Sequence, residues 1–225
     1  MPPDLLANVE AVLFDLDDTL LDYSAARDAA VVAWGERLRL SLGGQALVSL
    51  WAALESVHFA RYVSGELTVQ EQRRARVTGV PGLEGVDDST ADEHFREFLT
   101  LSEVLWRPLP GAPEAVLRIR RRMPVAVVTN GAPDIQGRKL ARLGLSGVPL
   151  FASVATGFPK PLPQAFDGAC RALDVPRSRA LMVGDNLDVD VYGALAAGLR
   201  AVWVDPAGRR GAEGVPTVAS VADLA

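Results

Sequence analysis

The sequence predicts an α/β fold: a parallel-sheet core interrupted near its start by an all-helical insertion. Three observations predict it. From about residue 110 onward, short apolar runs alternate with helix-period segments, the pattern of a sheet built from successive βα units. The first apolar run, Ala11-Val12-Leu13-Phe14, is continuous, as in a strand buried on both faces. Between that run and the others, the whole stretch from Asp22 to Arg107 carries helical stripes and no convincing strand, far too much chain for a βα loop.

Each element has a local reason. In the insertion, Val31, Trp34 and Leu38 make one apolar stripe. Leu47, Leu50, Trp51, Leu54 and His58 make a second, and Phe95, Phe98, Leu99 and Leu105 a third. Trp34, Trp51 and Trp106 read as core anchors of this block. After it, Pro113 at a helix start, Glu114 in the first turn and the arginines from Arg118 to Arg122 describe a helix of about ten residues. Val125 to Val128 is a buried strand stopped by Thr129-Asn130-Gly131. A helix opens near Pro133 and closes at Leu143, with Gly144 as a left-handed C′ residue. Another helix runs from about Leu162 to Leu173. Ala180 to Val183 is a strand, a helix follows from near Leu187 to Gly198, and Ala201 to Val204 is the next strand. Thr217-Val218, with Ser220 capping Val221 to Leu224, adds a short edge element.

Composition narrows the function. A formal net charge of −5 argues against nucleic-acid or anionic-membrane partners. The basic clusters at Arg73-Arg74-Ala75-Arg76 and at Arg118 to Arg122 read as solvated helix faces and a helix end complementing its dipole. The single cysteine, Cys170, cannot form an internal disulfide, and its helical spacing from Phe166, Ala169 and Leu173 makes it a small core residue. His58 and His94 have no metal-spaced partner. No apolar run approaches ~18 residues, and Met1 to Glu10 lacks the layout of a signal peptide, so the expected location is cytoplasmic.

The chemistry sits at strand ends. Asp15 and Asp17 alternate directly after the first strand, which puts both carboxylates on one side of the pleat, where like charges repel unless a proton or a cation intervenes. Asp15/Asp17/Thr19, Thr129/Asn130/Gly131, Lys160-Pro161, and Asp185/Asn186 with Asp190 all fall at or just beyond the carboxyl ends of predicted strands, the ligand-binding edge of an open parallel sheet. Asp15, Asp17 and Asp185 offer hard oxygens suited to Mg²⁺. Lys160, Thr129 and the N–H groups of Asn130 and Gly131 could receive a phosphoryl group. One carboxylate could then attack phosphorus and the other carry the proton.

Phe-Asp15-Leu-Asp17-Asp-Thr19-Leu, Val-Thr129-Asn-Gly, Lys160-Pro-Leu-Pro-Gln-Ala-Phe and Gly-Asp185-Asn-Leu-Asp-Val-Asp190-Val resemble, in order, the four motifs of the haloacid dehalogenase superfamily. Trp106-Arg-Pro-Leu-Pro-Gly111 and the run from Ala196 to Val204 look like framework passages of members carrying a helical cap between the first two motifs. The resemblance implies a Rossmann-like core over residues 1–21 and 108–225, with an inserted helical cap domain over 22–107. It implies Asp15 as nucleophile and Asp17 as general acid/base, with Asp17 also binding Mg²⁺ through its main-chain carbonyl. Thr129 and Lys160 would hold phosphoryl oxygens, Lys160 also neutralising Asp15. Asp185 would bind the metal directly, Asp190 would orient Lys160 or a metal-bound water, and Asn186 would support the metal's surroundings. Asp188 lies off the pattern and reads as solvated.

The expected activity is Mg²⁺-dependent hydrolysis of a small-molecule phosphate ester, by a monomer or homodimer. A phosphomutase would need the same Asp15 and Asp17. A 2-haloacid dehalogenase attacks carbon and, in that branch, keeps neither a second aspartate nor a metal, which sets Asp17 and Asp185 against it. A non-catalytic binding protein on the same scaffold would be expected to have lost one of Asp15, Asp17, Lys160 or Asp185, and all four are present.

Overall fold

The computed structural model describes residues 5–208 and 214–224. The chain divides into two compact units, residues 1–22 with 107–225, and residues 23–106.

The first unit is built on β1 (Ala11–Phe14), β2 (Val125–Thr129), β3 (Leu150–Ala152), β4 (Ala180–Gly184), β5 (Arg200–Val204) and β6 (Thr217–Val218). All pairings are parallel, in the order β3-β2-β1-β4-β5-β6. The order reverses direction at β1, so the first and fourth strands lie side by side at the centre, and their ends are brought together there. Leu13 pairs with Ala126 on one side and Met182 on the other. With Val128, Phe166, Val191 and Trp203 they form one continuous apolar cluster. Every residue of β1, β2 and β4 is buried, which is why these runs show no polar alternation. Each fully buried Val, Leu or Phe side chain there contributes roughly 1.5–3 kcal/mol. The sequence reading missed β3: three residues after Pro149, two of them only half-buried, are too short for a period to register.

The second unit holds four helices: α1 (Tyr23–Leu38), α2 (Gly44–Val63), α3 (Val69–Thr78) and α4 (Asp88–Leu105). Helix α3 has no apolar stripe of its own. It starts on a capping box, in which the Thr68 side chain accepts from the Glu71 N–H and Glu71 answers to the Thr68 N–H. Trp34, Trp51 and Phe98 fill this unit's core, with Trp34 and Trp51 centroids 5.2 Å apart and Trp51 and Phe98 centroids 4.7 Å apart. Arg76 corrects the expectation of a solvated arginine cluster. Its guanidinium is buried 4.7 Å over the Trp51 ring and pairs with Glu55 at 2.8 Å. Glu55 also accepts from Tyr23 and Arg27, so one carboxylate ties α1, α2 and α3 together in the helical core. Arg74, by contrast, reaches Asp88 and Asp92.

The remaining helices flank the sheet: α5 (Ala112–Arg120), α6 (Pro133–Arg142), α7 (Ser153–Thr156), α8 (Pro163–Ala172) and α9 (Gly193–Ala196). Proline opens α6, and Gly144 follows its end with φ 72°, the left-handed conformation. Cys170 is buried on α8 and burial pushes its thiol up, as suits a packing residue. Leading into α9, Leu187–Tyr192 is wound as a π-helix. The wider turn was not legible in the sequence. No helix among the described residues is long and apolar enough to cross a membrane.

Candidate active site

All the polar clusters lie in the sheet unit, at the carboxyl ends of its strands. Asp15 follows β1 directly, its N–H bonded to the Val183 carbonyl at 2.9 Å. The chain then turns: Asp18 has φ 60°, a left-handed conformation that aspartate tolerates, and its N–H bonds the Leu21 carbonyl at 2.7 Å.

Lys160 is the centre of charge. Its ammonium, 2 % exposed, lies 2.6 Å from Asp15 Oδ1 and 2.7 Å from Asp190 Oδ1. Asn130 holds it there, donating from Nδ2 to the Lys160 carbonyl and accepting the Lys160 N–H on Oδ1, both at 2.7 Å. The π-helical turn carries Asp190 back toward the end of β4, where its Oδ2 accepts the Asn186 N–H at 3.1 Å. Gly184 makes that approach possible: a Cβ there would stand 2.3 Å from Asp190 Oδ2. Asn186 caps the helix, its carboxamide oxygen accepting from Asp188 N–H at 3.1 Å and Val189 N–H at 3.0 Å. Asp188 is exposed.

Asp185 is held by Thr19. The Thr19 hydroxyl donates to Asp185 Oδ1 at 3.2 Å and accepts the Asp185 N–H at 3.1 Å. Trp203 on β5, which nothing in the sequence marked as part of the site, donates its indole N–H to the Asp185 carbonyl at 2.8 Å. A single oxygen from each of Asp15, Asp185 and Asp190 can be chosen so that all lie within 4.8 Å of one another. Burial, then the Asp190 and Asp18 charges, pushes Asp185 up to about 7. Burial, reinforced by Asp190 and Asp185, likewise raises Asp15 well above the ordinary carboxylate range, against the pull of Lys160. Burial opposes the charge on Lys160 as well, but Asp15 and Asp190 outweigh it and hold its ammonium above the ordinary lysine range. Three carboxylates around one ammonium leave an excess of negative charge, and hard oxygens so gathered fit a divalent cation.

The expected crowding of Asp15 and Asp17 takes a different form. The carboxylates that raise Asp15 are Asp190 and Asp185, whereas Asp17 turns to α6. Lys139 Nζ bonds Asp17 Oδ1 at 2.6 Å and Oδ2 at 2.8 Å, and Gln136 Nε2 bonds Oδ2 at 3.0 Å. Gln136 also donates to Thr129 Oγ1 at 2.7 Å. Sequence reasoning missed Gln136 and Lys139. The available signal was two polar residues three apart on the same helix as the apolar Ile135 and Leu140, hence on its buried face. Gly131 belongs to this arrangement, because a Cβ on it would stand 2.3 Å from Gln136 Nε2.

A parallel sheet with an acidic, lysine-centred cluster at its carboxyl edge defines an α/β core whose polar groups gather where such sheets bind ligands. The haloacid dehalogenase-like hydrolase family matches residues 9–198, and the chain belongs to that family. Among similar proteins, the phosphoserine phosphatase of Thermus thermophilus is 33% identical over 186 residues, covering 80% of this chain and 70% of that protein. The solved structure of YfnB from Bacillus subtilis, bound to magnesium, superposes with a TM-score of 0.83 at 24% identity, covering 96% of both chains. That of a 2-haloacid dehalogenase from Pseudomonas syringae has a TM-score of 0.70 at 26% identity, again covering 96% of both.

Proposed function

We propose that this hydrolase is a Mg²⁺-dependent phosphatase of small-molecule phosphate monoesters, acting through an aspartyl-phosphate on Asp15. The observation that carries the reading is the excess of carboxylate around Lys160, with Asp185 pushed up to about 7. Asp15, Asp185 and the Asp17 main-chain carbonyl would hold Mg²⁺, whose chemistry is to offset the negative charge of the phosphoryl oxygens. Lys160 bonds Asp15 Oδ1, leaving Oδ2 to attack phosphorus. As that O–P bond forms, the bond from phosphorus to the ester oxygen breaks, and Asp17 gives its proton to the departing alkoxide. Asp17 then removes a proton from water, which attacks the phosphoryl group and releases Asp15 and inorganic phosphate. The Thr129 hydroxyl supplies a hydrogen bond to a phosphoryl oxygen. The helical insertion over 22–107 is read as the cap that selects the substrate.

The similarity to a 2-haloacid dehalogenase offers a second reading, attack on carbon. A departing halide needs no proton, however, and that chemistry gives Asp17 and Asp185 no task.

The test is phosphate release from a panel of metabolite monoesters, with and without Mg²⁺. Turnover that requires Mg²⁺, is abolished by EDTA, and is lost in Asp15→Asn while the circular dichroism spectrum is retained is the expected result. Near-normal hydrolysis by Asp15→Asn, or chloride release from 2-chloropropionate without phosphate release from any ester, would overturn the reading.

A further inference from the structure

The groups that fix Asp17 come from a stretch of chain more than a hundred residues away. Lys139 and Gln136 are 3 % and 2 % exposed, so neither is a surface residue that happens to lie near. A buried ammonium is tolerated only where it is paired, and Lys139 spends hydrogen bonds on both oxygens of Asp17. Gln136 has two amide hydrogens. One goes to Asp17 Oδ2 and the other to Thr129 Oγ1. The Gly131 N–H reaches the same hydroxyl oxygen at 3.4 Å. Both lone pairs of the Thr129 hydroxyl are thereby filled from within the protein, and its own proton is what it has left to give. Asp17 has about four acceptor directions, of which three are occupied. Its side chain is 28% exposed against 4% for that of Lys139, so the carboxylate remains accessible while the lysine that holds it is not.

We propose that Gln136 and Lys139 are positioning residues for hydrolysis. One turn of α6 seats the Asp17 carboxylate and turns the Thr129 proton outward, setting the proton carrier and a phosphoryl-binding donor in register. The inference rests on the reading of Asp17 as the acid/base, and it assigns that residue's alignment to two side chains outside the motifs.

The test exploits the leaving group. Departure of an alkoxide needs the Asp17 proton, whereas p-nitrophenolate leaves unaided, and kcat/KM reports the step in which the ester bond breaks. The two probes are p-nitrophenyl phosphate and whichever alkyl monoester of a panel the wild-type protein hydrolyses fastest. Lys139→Met and Gln136→Leu should each lower kcat/KM for the alkyl ester about 100-fold, and for the aryl ester less than about tenfold. Lys139→Arg should recover part of the alkyl loss. Loss of packing alone would depress both esters alike, so equal losses, or none, overturn the proposal. Asp17→Asn is measured beside them. If it discriminates between the esters and the α6 variants do not, the positioning inference alone fails. If it does not discriminate, or if no alkyl monoester is hydrolysed by the wild type, the acid/base reading fails and takes the inference with it. Should Lys139→Met not fold, Gln136→Leu and Lys139→Arg carry the comparison.

Discussion

Replacing Lys160 with methionine removes the charge but keeps most of the side chain's length. Lys160 is 2 % exposed, and its partners Asp15 and Asp190 are 7 % and 1 % exposed. Both ion pairs are short, at 2.6 Å and 2.7 Å. Deleting one member of a buried pair costs about 3–5 kcal/mol, because the remaining charge stays desolvated. The cost depends on pH, and its sign follows from Asp15. Burial, Asp190 and Asp185 already raise its carboxyl, and Lys160 is what lowers it. Without Lys160 it rises further above the unfolded value of about 3.9. A carboxyl raised on folding favours the folded state at low pH, and that contribution disappears as pH climbs through the folded value. Lys160 itself is raised, so its own contribution persists below its unfolded value of about 10.4 and is constant across the assay range. The destabilisation should therefore be small at pH 5 and approach about 3–5 kcal/mol at pH 8. With a urea m-value of about 2–3 kcal/mol/M, the midpoint should fall by about 1–2.5 M at pH 8. Urea unfolding of wild type and Lys160→Met in EDTA at the two pH values measures it. An equal shift at both, or one below about 1 kcal/mol at pH 8, would refute the reasoning.

Two further predictions use the same site. Asp185, pushed up to about 7 by burial and then by Asp190 and Asp18, favours the metal-free fold at low pH, and that contribution is lost as pH rises from about 4 through 7. Mg²⁺ at a hundred times its Kd should therefore add about 2.7 kcal/mol, some 5–10 °C in Tm, at pH 8 and much less at pH 5. Differential scanning fluorimetry reads this, and Asp185→Asn should abolish the difference. Gly131→Ala drives a Cβ to within 2.3–2.7 Å of the Gln136 Nε2, Cδ and Cγ atoms, so the amide must leave Thr129 and Asp17. A loss of about 1–3 kcal/mol in thermal melts, with kcat falling more than KM rises, is the expected outcome.

The sequence by itself determined which segments could be strands. Residues 11–14, 125–129 and 180–184 are buried throughout and carry no polar alternation, a property visible without neighbours. It also determined that aspartates and a threonine end those runs, and that Cys170 is a core residue, because burial and periodicity are local. Only the tertiary structure decided what lacks a local signature. Strand β3 exists because Val127 and Thr129 offer it an edge, not because Leu150 to Ala152 form a pattern. Arg76 is buried because α2 and α4 surround its guanidinium with aromatic rings and one carboxylate, although it belongs to an arginine-rich run. Asp17 meets Lys139 across 122 residues, and which carboxylate an ammonium finds is settled by how a helix lies on the end of a sheet. Periodicity is written along the chain; charge pairing in a desolvated site is a property of distance, and distance is created only by folding.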